Sequence, residues 1–416
     1  MNQPESRPSG RLSSDRALRS NISIRQWIAE SLSHSNAPWG TFGICAVLLT
    51  MGAILALVGF GRGDAQHLRV FGVFWGSGWA ANHQLNPYAV YERSRPFQDV
   101  LHHLRIHVSL NLSPPPLLPL FQLIALFNPE SVIKVWTFVS LLLFLGGFAL
   151  LLLEYGEHMQ RRQVIWFLLG PAALDTLIVG QDYALLFVFA VLTWLLFEHN
   201  HDVAAGIFLG LFFAAKPNFA IWAVFLGLCG HKRVTRSSVV TWLAVSWPPF
   251  FFYGRDIYSK WLHAISSDPH WIYPADVSIA GFASRLGNRA VGQIISIILL
   301  AAATVFVARK RPSAETASGI AICVGLLASP LGWVTYSLFL TPVLLCKRWS
   351  TRLSLAILPL MLPSTIAGAA MNRSIRANNI AGLFYFVPVC FLLTYFLRKA
   401  AQEAGAAMQP EVEIPA

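Results

Sequence analysis

Long apolar segments separated by short polar turns make up most of this chain. The first segment covers about residues 39–61, which is long enough to cross a bilayer core of ~30 Å at about 1.5 Å per helical residue. The later apolar segments lie at about 132–154, 163–179, 183–199, 203–215, 218–230, 236–253, 290–308, 314–330, 334–346, 352–370 and 379–397. The pattern predicts an all-α, polytopic transmembrane helical bundle with about 12 spans.

The composition agrees with a chain that is soluble in lipid. Hydrophobic residues make up 55% of the 416 positions and charged residues 12%, against about 25% charged in soluble proteins. The mean hydropathy is +0.54. These values exclude a disordered chain, a disulfide scaffold and a typical soluble enzyme. The five cysteines form no Cys-x-x-Cys motif and are expected to be small buried apolar residues.

The net charge of +11 comes from basic residues clustered between apolar segments. This distribution fits the rule that basic loops stay in the cytoplasm, and it disfavours nucleic acid as a partner. The clusters expected on the cytoplasmic side are Arg161/Arg162, His231/Lys232/Arg233/Arg236, Arg309/Lys310/Arg311, Lys347/Arg348/Arg352 and Arg398/Lys399.

A short apolar segment at 116–128 decides the topology. If it crossed the membrane, Arg161 and Arg162 would lie outside, whereas without it every basic cluster and both termini are cytoplasmic. The segment opens with Ser113-Pro114-Pro115-Pro116 and supplies only roughly 20 Å of helix. We therefore predict that it is re-entrant or packs at the outer surface. The equally short segments 203–215 and 218–230 count as two spans if Lys216-Pro217 forms an outer hairpin.

This topology divides the chain into a cytoplasmic basic arm (1–37), a transmembrane domain (38–400) and a cytoplasmic tail (401–416). Two outer loops, at about 62–131 and 254–289, are rich in aromatic residues, Pro, His and Asn and are expected to carry short interfacial helices. The sequence therefore predicts a multi-pass protein of a bacterial-type inner membrane, with recognition or chemistry on the extracytoplasmic face.

Ionisable residues near the outer face are the candidates for that chemistry. Asp64 lies just after the first span, Asp182 just before the span 183–199, and Asp276 in the second outer loop. Each carboxylate is alternatively a solvated loop charge or a structural cap. Lys216 lies inside an apolar stretch, where its ammonium group either binds a lipid phosphate or reaches the headgroups by snorkelling.

Other motifs are less informative. The chain has no Asp-x-Asp pair to hold a metal on a nucleotide sugar, no Walker motif and no Gly-x-Ser-x-Gly. His103 and His107 can share a helical face, but no carboxylate completes a zinc site. Trp75 is either a sugar-stacking residue or part of an interfacial belt. Arg285 is an outer cation that can meet a phosphate, Asp276 or a lipid headgroup.

Six short motifs occur in an order that resembles glycosyltransferase family 87 across roughly residues 40–400. They are Phe71-Gly-Val-Phe-Trp-Gly-Ser-Gly78 with Asn86-Pro87-Tyr88, Asn111-Leu-Ser-Pro-Pro115, Gly180-Gln181, Gly206-x3-Gly210 leading to Lys216-Pro217, Asp276-Val-Ser-Ile-Ala-Gly281, and Ser329-Pro-Leu-Gly-Trp333 with Tyr336.

The resemblance implies a GT-C fold and an inverting transfer of a hexose, typically mannose, from a polyprenyl-phosphate sugar to an extracytoplasmic glycolipid or glycan acceptor. It implies no nucleotide, metal or other cofactor. A first-loop aspartate is expected to be the general base, with Asp64 as candidate, and Lys216 the phosphate contact. The remaining residues expected around the cavity are Gln181, Asp182, Asp276, Trp75 and Arg285.

The sequence departs from the family pattern at two positions. The family aspartate commonly precedes the Phe-x-x-Phe-Trp-like stretch, where this chain has Val70, and the nearest acid is Asp64. Either Asp64 replaces it after a local shift, another residue is the base, or activity is lost. Leu331 stands where many members carry His after Ser-Pro.

Two other classes of function compete with the transferase. A transporter or flippase of lipid-linked sugars predicts paired repeats and ionisable residues near the midplane, and neither is evident. A catalytically silent GT-C scaffold is consistent with the departures at Val70 and Leu331.

Cysteines placed at Glu92 and Asp268 test the topology. We expect an impermeant thiol reagent added outside the cell to label both positions, because both lie in predicted outer loops. Labelling of either cysteine only from the cytoplasmic side would contradict the topology and move the active face.

Overall fold

The computed structural model describes residues 37–61, 69–89, 110–267, 275–361 and 375–406. These residues form helices joined by short turns, with an isolated β-bridge between Asp276 and Trp333. The predicted all-α fold is confirmed. The predicted base Asp64 lies outside the described residues, as do Glu92, Asp268, His103 and His107.

The first part of the chain contains the long helices α1 and α4 and the shorter helices that lie between or after them. Their bounds are α1 Trp39–Gly61, α2 Arg69–Asn82, a 3-10 turn Pro115–Leu117, α3 Leu118–Ile124, α4 Pro129–Tyr155, α5 Arg161–Leu168, α6 Pro171–Val179, α7 Tyr183–Glu198, α8 Asp202–Ala215, a 3-10 turn Pro217–Phe219 and α9 Ala220–Leu228. Gly170 and Pro171 interrupt the predicted segment 163–179, because proline is favoured at the first position of a new helix.

The second part of the chain likewise contains long helices, α14 and α18, with shorter helices before and between them. Its bounds are α10 Lys232–Ser246, α11 Pro248–Phe252, α12 Ile257–Ser267, α13 Ile279–Arg285, α14 Arg289–Lys310, α15 Ala314–Leu327, a 3-10 helix Val334–Leu340, α16 Thr341–Leu345, α17 Thr351–Ile357, a 3-10 turn Leu358–Met361 and α18 Ile375–Ala406. The helix α18 continues to Ala406, past the predicted tail boundary at residue 400. Four short helices, α2, α3, α12 and α13, occupy the stretches predicted as outer loops.

Five helical stretches among the described residues are long and apolar enough to cross a membrane. They are Trp39–Val58, Pro129–Tyr155, Arg161–Val179, Arg289–Lys310 and Gly382–Ala406. The other apolar helices have 10–17 residues. The fold is thus that of a membrane protein, and the total of about 12 spans stays a prediction. Pro115–Ile124 covers only about 15 Å, half of a bilayer core.

One end of the bundle gathers basic residues that the sequence assigns to a single side. The amide of Gln163 donates to the Lys347 carbonyl at 2.9 Å, and Arg162 donates to the Trp349 carbonyl at 2.5 Å. The carboxylate of Glu315 accepts Lys347 and Lys399 at 2.5 Å each. The helices α5, α15 and α18 are therefore joined by polar contacts at this end, which we call the basic end.

The opposite end is formed where α6, α8 and α15 stop, and we call it the site end. The turn at Gly180 follows α6, Lys216 follows α8, and the loop Ser329–Trp333 follows α15. The amide of Asn218 donates to the Gly325 carbonyl at 3.1 Å, which ties the end of α8 to that of α15.

Two hydrophobic clusters stabilise this arrangement. The larger one runs through the bundle and includes the buried rings of Phe187, Phe212 and Phe219. The smaller one packs α2 and α3 against α12 and the start of α4. Its buried members are Phe71, Phe74, Trp75, Tyr88, Leu118, Phe121, Ile124, Ile133, Ile257 and Ala264. The short helices thus cover the site end as a separate layer.

Two glycines allow α8 and α10 to pack closely. A Cβ atom at Gly206 would lie 1.8 Å from Ser237 Oγ, and one at Gly210 would lie 2.5 Å from the Ser238 carbonyl oxygen. Small residues spaced by four permit such backbone approach between membrane helices. The close packing fixes α8 and hence the position of Lys216 at its end.

We expect Gly210→Ala to lower the free energy of unfolding by about 1–3 kcal/mol, because its Cβ would collide with the backbone of α10. Thermal unfolding of the detergent-solubilised protein measures the change. Gly146→Ala in α4 is the matched control, since its Cβ would meet no atom within 4 Å. Equal midpoints for the two variants would contradict the predicted close packing.

Candidate functional site

The turn after α6 places Asp182 at the site end. Gly180 adopts the left-handed conformation, with φ of 72°, which glycine reaches without steric cost. The Gln181 backbone N–H then donates to the Thr176 carbonyl at 3.0 Å, and the Trp136 indole N–H donates to the Gly180 carbonyl at 3.1 Å. These bonds fix the turn, so that α7 begins directly after Asp182.

The break after α8 places Lys216 in the same region. Pro217 has no N–H to continue the helix, and the residue before a proline favours extended backbone. Lys216 accordingly has φ −137° and ψ 82°. The helix resumes at Ala220 after one 3-10 turn. The predicted Lys216-Pro217 break is therefore present.

Lys216 and Asp182 form a buried ion pair. The Nζ atom lies 3.7 Å from Asp182 Oδ1, and the side chains are 12% and 1% exposed. Neither carboxylate oxygen of Asp182 has a hydrogen-bond partner within the described part of the chain. The pair compensates charge inside an apolar bundle, but its separation is longer than that of a charge-assisted hydrogen bond. Lys216 is the more exposed member of the pair.

Aromatic rings enclose the ammonium group. Lys216 Nζ lies 5.1 Å from the centroid of Tyr183 and 5.7 Å from that of Tyr336, within the range of cation–π attraction. The two tyrosine rings meet edge to face at 5.2 Å, and Tyr336 stacks on Phe339 at 5.8 Å. Phe219 contacts Tyr336 at 5.6 Å. In this apolar surrounding, electrostatic interactions with an anion are stronger than in water.

Asp276 joins two segments that are distant in sequence. Its Oδ1 accepts the N–H groups of Ser278 at 2.9 Å and Gly332 at 3.1 Å. The Val277 N–H donates to the Gly332 carbonyl at 2.7 Å, and the Val334 N–H to the Ala275 carbonyl at 2.8 Å. These contacts form the β-bridge beside Tyr336.

The environment of Asp276 favours its neutral form relative to water. Burial raises the pKa of its carboxyl group above the usual value, while the N–H donors of Ser278 and Gly332 and the charge of Arg285 oppose the shift. Its Oδ2 is buried without a hydrogen-bond partner in the described structure. A Cβ at Gly281 would lie 2.3 Å from this oxygen, so glycine is required for the carboxylate to fit.

Arg285 contacts the same junction. Its Nη1 donates to the Asp276 carbonyl oxygen at 2.9 Å, and its guanidinium group lies 5.8 Å from the centroid of Phe282. A Cβ at Gly382 would come within 2.5 Å of Arg285 Nη2, so the side chain also packs on α18. Contact with Asp276, one of the alternatives that the sequence leaves open, is present; contact with a phosphate or a lipid headgroup stays a prediction.

Trp75 belongs to the smaller hydrophobic cluster rather than to the one around Lys216. Its ring is buried, and its indole N–H donates to the Phe127 carbonyl at 3.1 Å. In this position it holds α2 against the turn after α3. Val70 packs on the same cluster.

Gln181 and Leu331 are both half-buried. Gln181 directly precedes Asp182. Leu331 lies in the loop whose next residue, Gly332, donates to Asp276. The site as described thus brings together Asp182, Lys216 and the 329–336 segment, while Asp64 is outside the described residues.

Sequence reasoning named the charged members of this site but missed Tyr183 as a neighbour of Lys216. The available signal was the direct succession of Asp182 and Tyr183 at a helix start. It also missed Trp136, which lies in α4 and binds the Gly180 turn from a distant part of the sequence. Among the described residues, no three His, Cys, Asp or Glu side chains group as metal ligands.

The fold and this buried polar centre define an integral membrane protein with ionisable groups enclosed between apolar helices. The family model for glycosyltransferase family 87 matches residues 111–330, more than half of the chain. The chain therefore belongs to this family and is a membrane glycosyltransferase. Comparisons with curated proteins and with solved structures gave no match. The matched region contains Asp182, Lys216 and Asp276, whereas Asp64 and Trp75 precede it.

We expect Lys216→Met to lower the free energy of unfolding by about 3–5 kcal/mol, because Asp182 would remain as an uncompensated buried charge. The double variant Lys216→Met/Asp182→Asn removes that charge and should regain much of the loss. Thermal unfolding in detergent compares the two. A double variant no more stable than the single one would show that the pair is not coupled.

Proposed function

We propose that this glycosyltransferase moves a hexose, namely mannose, from a polyprenyl-phosphate sugar to a glycolipid or glycan acceptor. The reaction takes place at the extracytoplasmic face of a bacterial-type inner membrane, with inversion at the anomeric carbon and without a metal. The observation that carries the proposal is the buried ammonium group of Lys216, which lies at a helix break and retains 12% exposure.

The surroundings of Lys216 favour a single phosphate as its ligand. Asp182 balances the charge at 3.7 Å without a close hydrogen bond, so the ammonium group has donors left for an entering anion. Lysine binds phosphate as a point charge. The sequence lacks the Asp-x-Asp pair often used to hold a metal on a nucleotide diphosphate. A sugar linked to lipid through one phosphate fits one buried cation.

The proposed chemistry is a single displacement. The acceptor hydroxyl attacks the anomeric carbon while a carboxylate, for which Asp64 is the candidate, takes its proton. The bond between the anomeric carbon and the phosphate oxygen breaks, and the polyprenyl phosphate leaves with the electron pair. Lys216 stabilises the negative charge that grows on this phosphate, in an aromatic enclosure formed by Tyr183 and Tyr336.

Exposed aromatic residues at the site end support lipid-borne substrates. Trp247, Phe251 and Phe252 lie at the junction of α10 and α11 and are largely exposed. Tyr253 follows them and donates to the Gln122 side chain at 2.5 Å, which fixes this turn against α3. Aromatic belts of this kind mark the level of lipid headgroups. A headgroup-level position of the site end would bring Lys216 within reach of a lipid phosphate.

Purified protein with polyprenyl-phosphate mannose and candidate acceptor lipids tests the proposal. We expect transfer that persists in EDTA, and a loss of about 10²–10⁴-fold in Asp64→Asn because the general base is removed. Asp256→Asn is the control, since this side chain is exposed and pairs with Lys260 at 2.8 Å.

The other outcomes point to specific alternatives. Full transfer in Asp64→Asn would remove Asp64 as the base. Movement of the lipid-linked sugar across the bilayer without product would favour a flippase. Donor binding without transfer in the wild-type protein would favour a silent scaffold.

A further inference from the structure

The segment 329–336 has to be held in place by other parts of the chain. It contains a loop and the first turn of a 3-10 helix, whose hydrogen-bond geometry is poorer than that of an α-helix. Tyr336 in this turn is one of the two rings that enclose Lys216. The position of the loop therefore determines one wall of the proposed phosphate site.

Asp276 is the side chain that closes this loop onto the rest of the site end. Its Oδ1 accepts the Gly332 N–H, and the same oxygen accepts the Ser278 N–H. Gly332 is itself tightly enclosed, since a Cβ there would lie 2.2 Å from the Leu326 carbonyl oxygen. Without the carboxylate oxygen, two buried N–H groups would lose their acceptor, which is costly away from water.

The second oxygen of Asp276 is directed at protein rather than at an open cavity. Oδ2 faces Gly281 closely enough to exclude any side chain there, and Asp276 is fully buried. Arg285, the cation nearest in sequence, binds the backbone carbonyl of Asp276 and packs against Gly382. Within the described part of the chain, the carboxylate thus has internal contacts and no exposed face for a sugar or a phosphate.

We propose that Asp276 is a positioning residue that holds the 329–336 segment, and with it Tyr336, against Lys216. It acts on donor binding through this segment and does not contact the donor. The inference rests on the proposed donor site for its effect on transfer, but the restraint of the loop is independent of any activity. It replaces the expectation that Asp276 binds substrate directly.

Substitution of Asp276 by Asn and by Ala distinguishes positioning of the 329–336 segment from direct contact with the donor. Asp276→Asn keeps an acceptor oxygen for the N–H groups of Ser278 and Gly332 and removes the negative charge. Asp276→Ala removes the acceptor oxygen as well as the charge. We expect Asp276→Ala to raise KM for polyprenyl-phosphate mannose by about 10- to 100-fold, with the acceptor KM unchanged. Asp276→Asn should restore the donor KM to within about threefold of wild type, because one hydrogen-bond acceptor is retained.

A thiol probe in the loop gives a second, activity-independent measurement. In a Leu331→Cys background, we expect Asp276→Ala to speed labelling of the cysteine at least about tenfold as the loop loses its restraint, and Asp276→Asn to leave it slow. The same chain without Leu331→Cys corrects for the native cysteines. Gly281→Ala should reproduce the Asp276→Ala effects, because its Cβ displaces the carboxylate, and it serves if Asp276→Ala does not fold.

Two results would overturn the proposal. One is a donor KM raised equally in Asp276→Asn and Asp276→Ala while the loop stays protected, since the charge would then act on the donor directly. The other is unchanged labelling in Asp276→Ala and Gly281→Ala. A wild-type protein without transfer would instead contradict the proposed function, and the labelling comparison would still decide whether Asp276 restrains the loop.

Discussion

The ion pair between Lys216 and Asp182 is the constraint around which the site end is arranged. Neither charge is tolerated alone among apolar helices, so α7 and α8 must present their ends to each other. Two backbone devices make this possible, the left-handed Gly180 before Asp182 and the proline after Lys216. Close packing of α8 on α10 through Gly206 and Gly210 then sets where the lysine emerges.

Much of the fold was predictable because apolar segments in a bilayer have few alternatives to helix. The predicted segments 183–199 and 290–308 match α7 and α14 within about two residues, and the break at Lys216-Pro217 is present. The internal breaks were harder to predict. Hydropathy stays high across Gly170-Pro171 and across Pro248, so a continuous segment was expected where two helices form. The pairing of Glu315 with Lys347 and Lys399 depends on two helices and the turn after α16 meeting, and it has no local signal.

The site was predictable in its residue types but less so in their contacts. Lys216 and Asp182 stand out because a charge in an apolar stretch needs a partner, yet the sequence does not say that each is the other's partner. Asp276 and Arg285 are also charged residues predicted near the outer face. Both contact the junction that joins residues 275–278 to 332–334. Trp75 is of a residue type that stacks on sugars, but its indole N–H donates to the Phe127 carbonyl within a packed layer. The partner of a polar group is set by tertiary packing, which one sequence does not encode locally.

The 3-10 form of Val334–Leu340 sets both the length of this segment and the direction of its side chains. At about 2.0 Å per residue it extends about 14 Å, some 3–4 Å farther than the same residues would in an α-helix. Its threefold repeat also places Tyr336 directly beneath Phe339 on one face, where an α-helix would turn the two rings about 60° apart. The ring position of Tyr336 beside Lys216 therefore depends on this segment being a 3-10 helix rather than an α-helix.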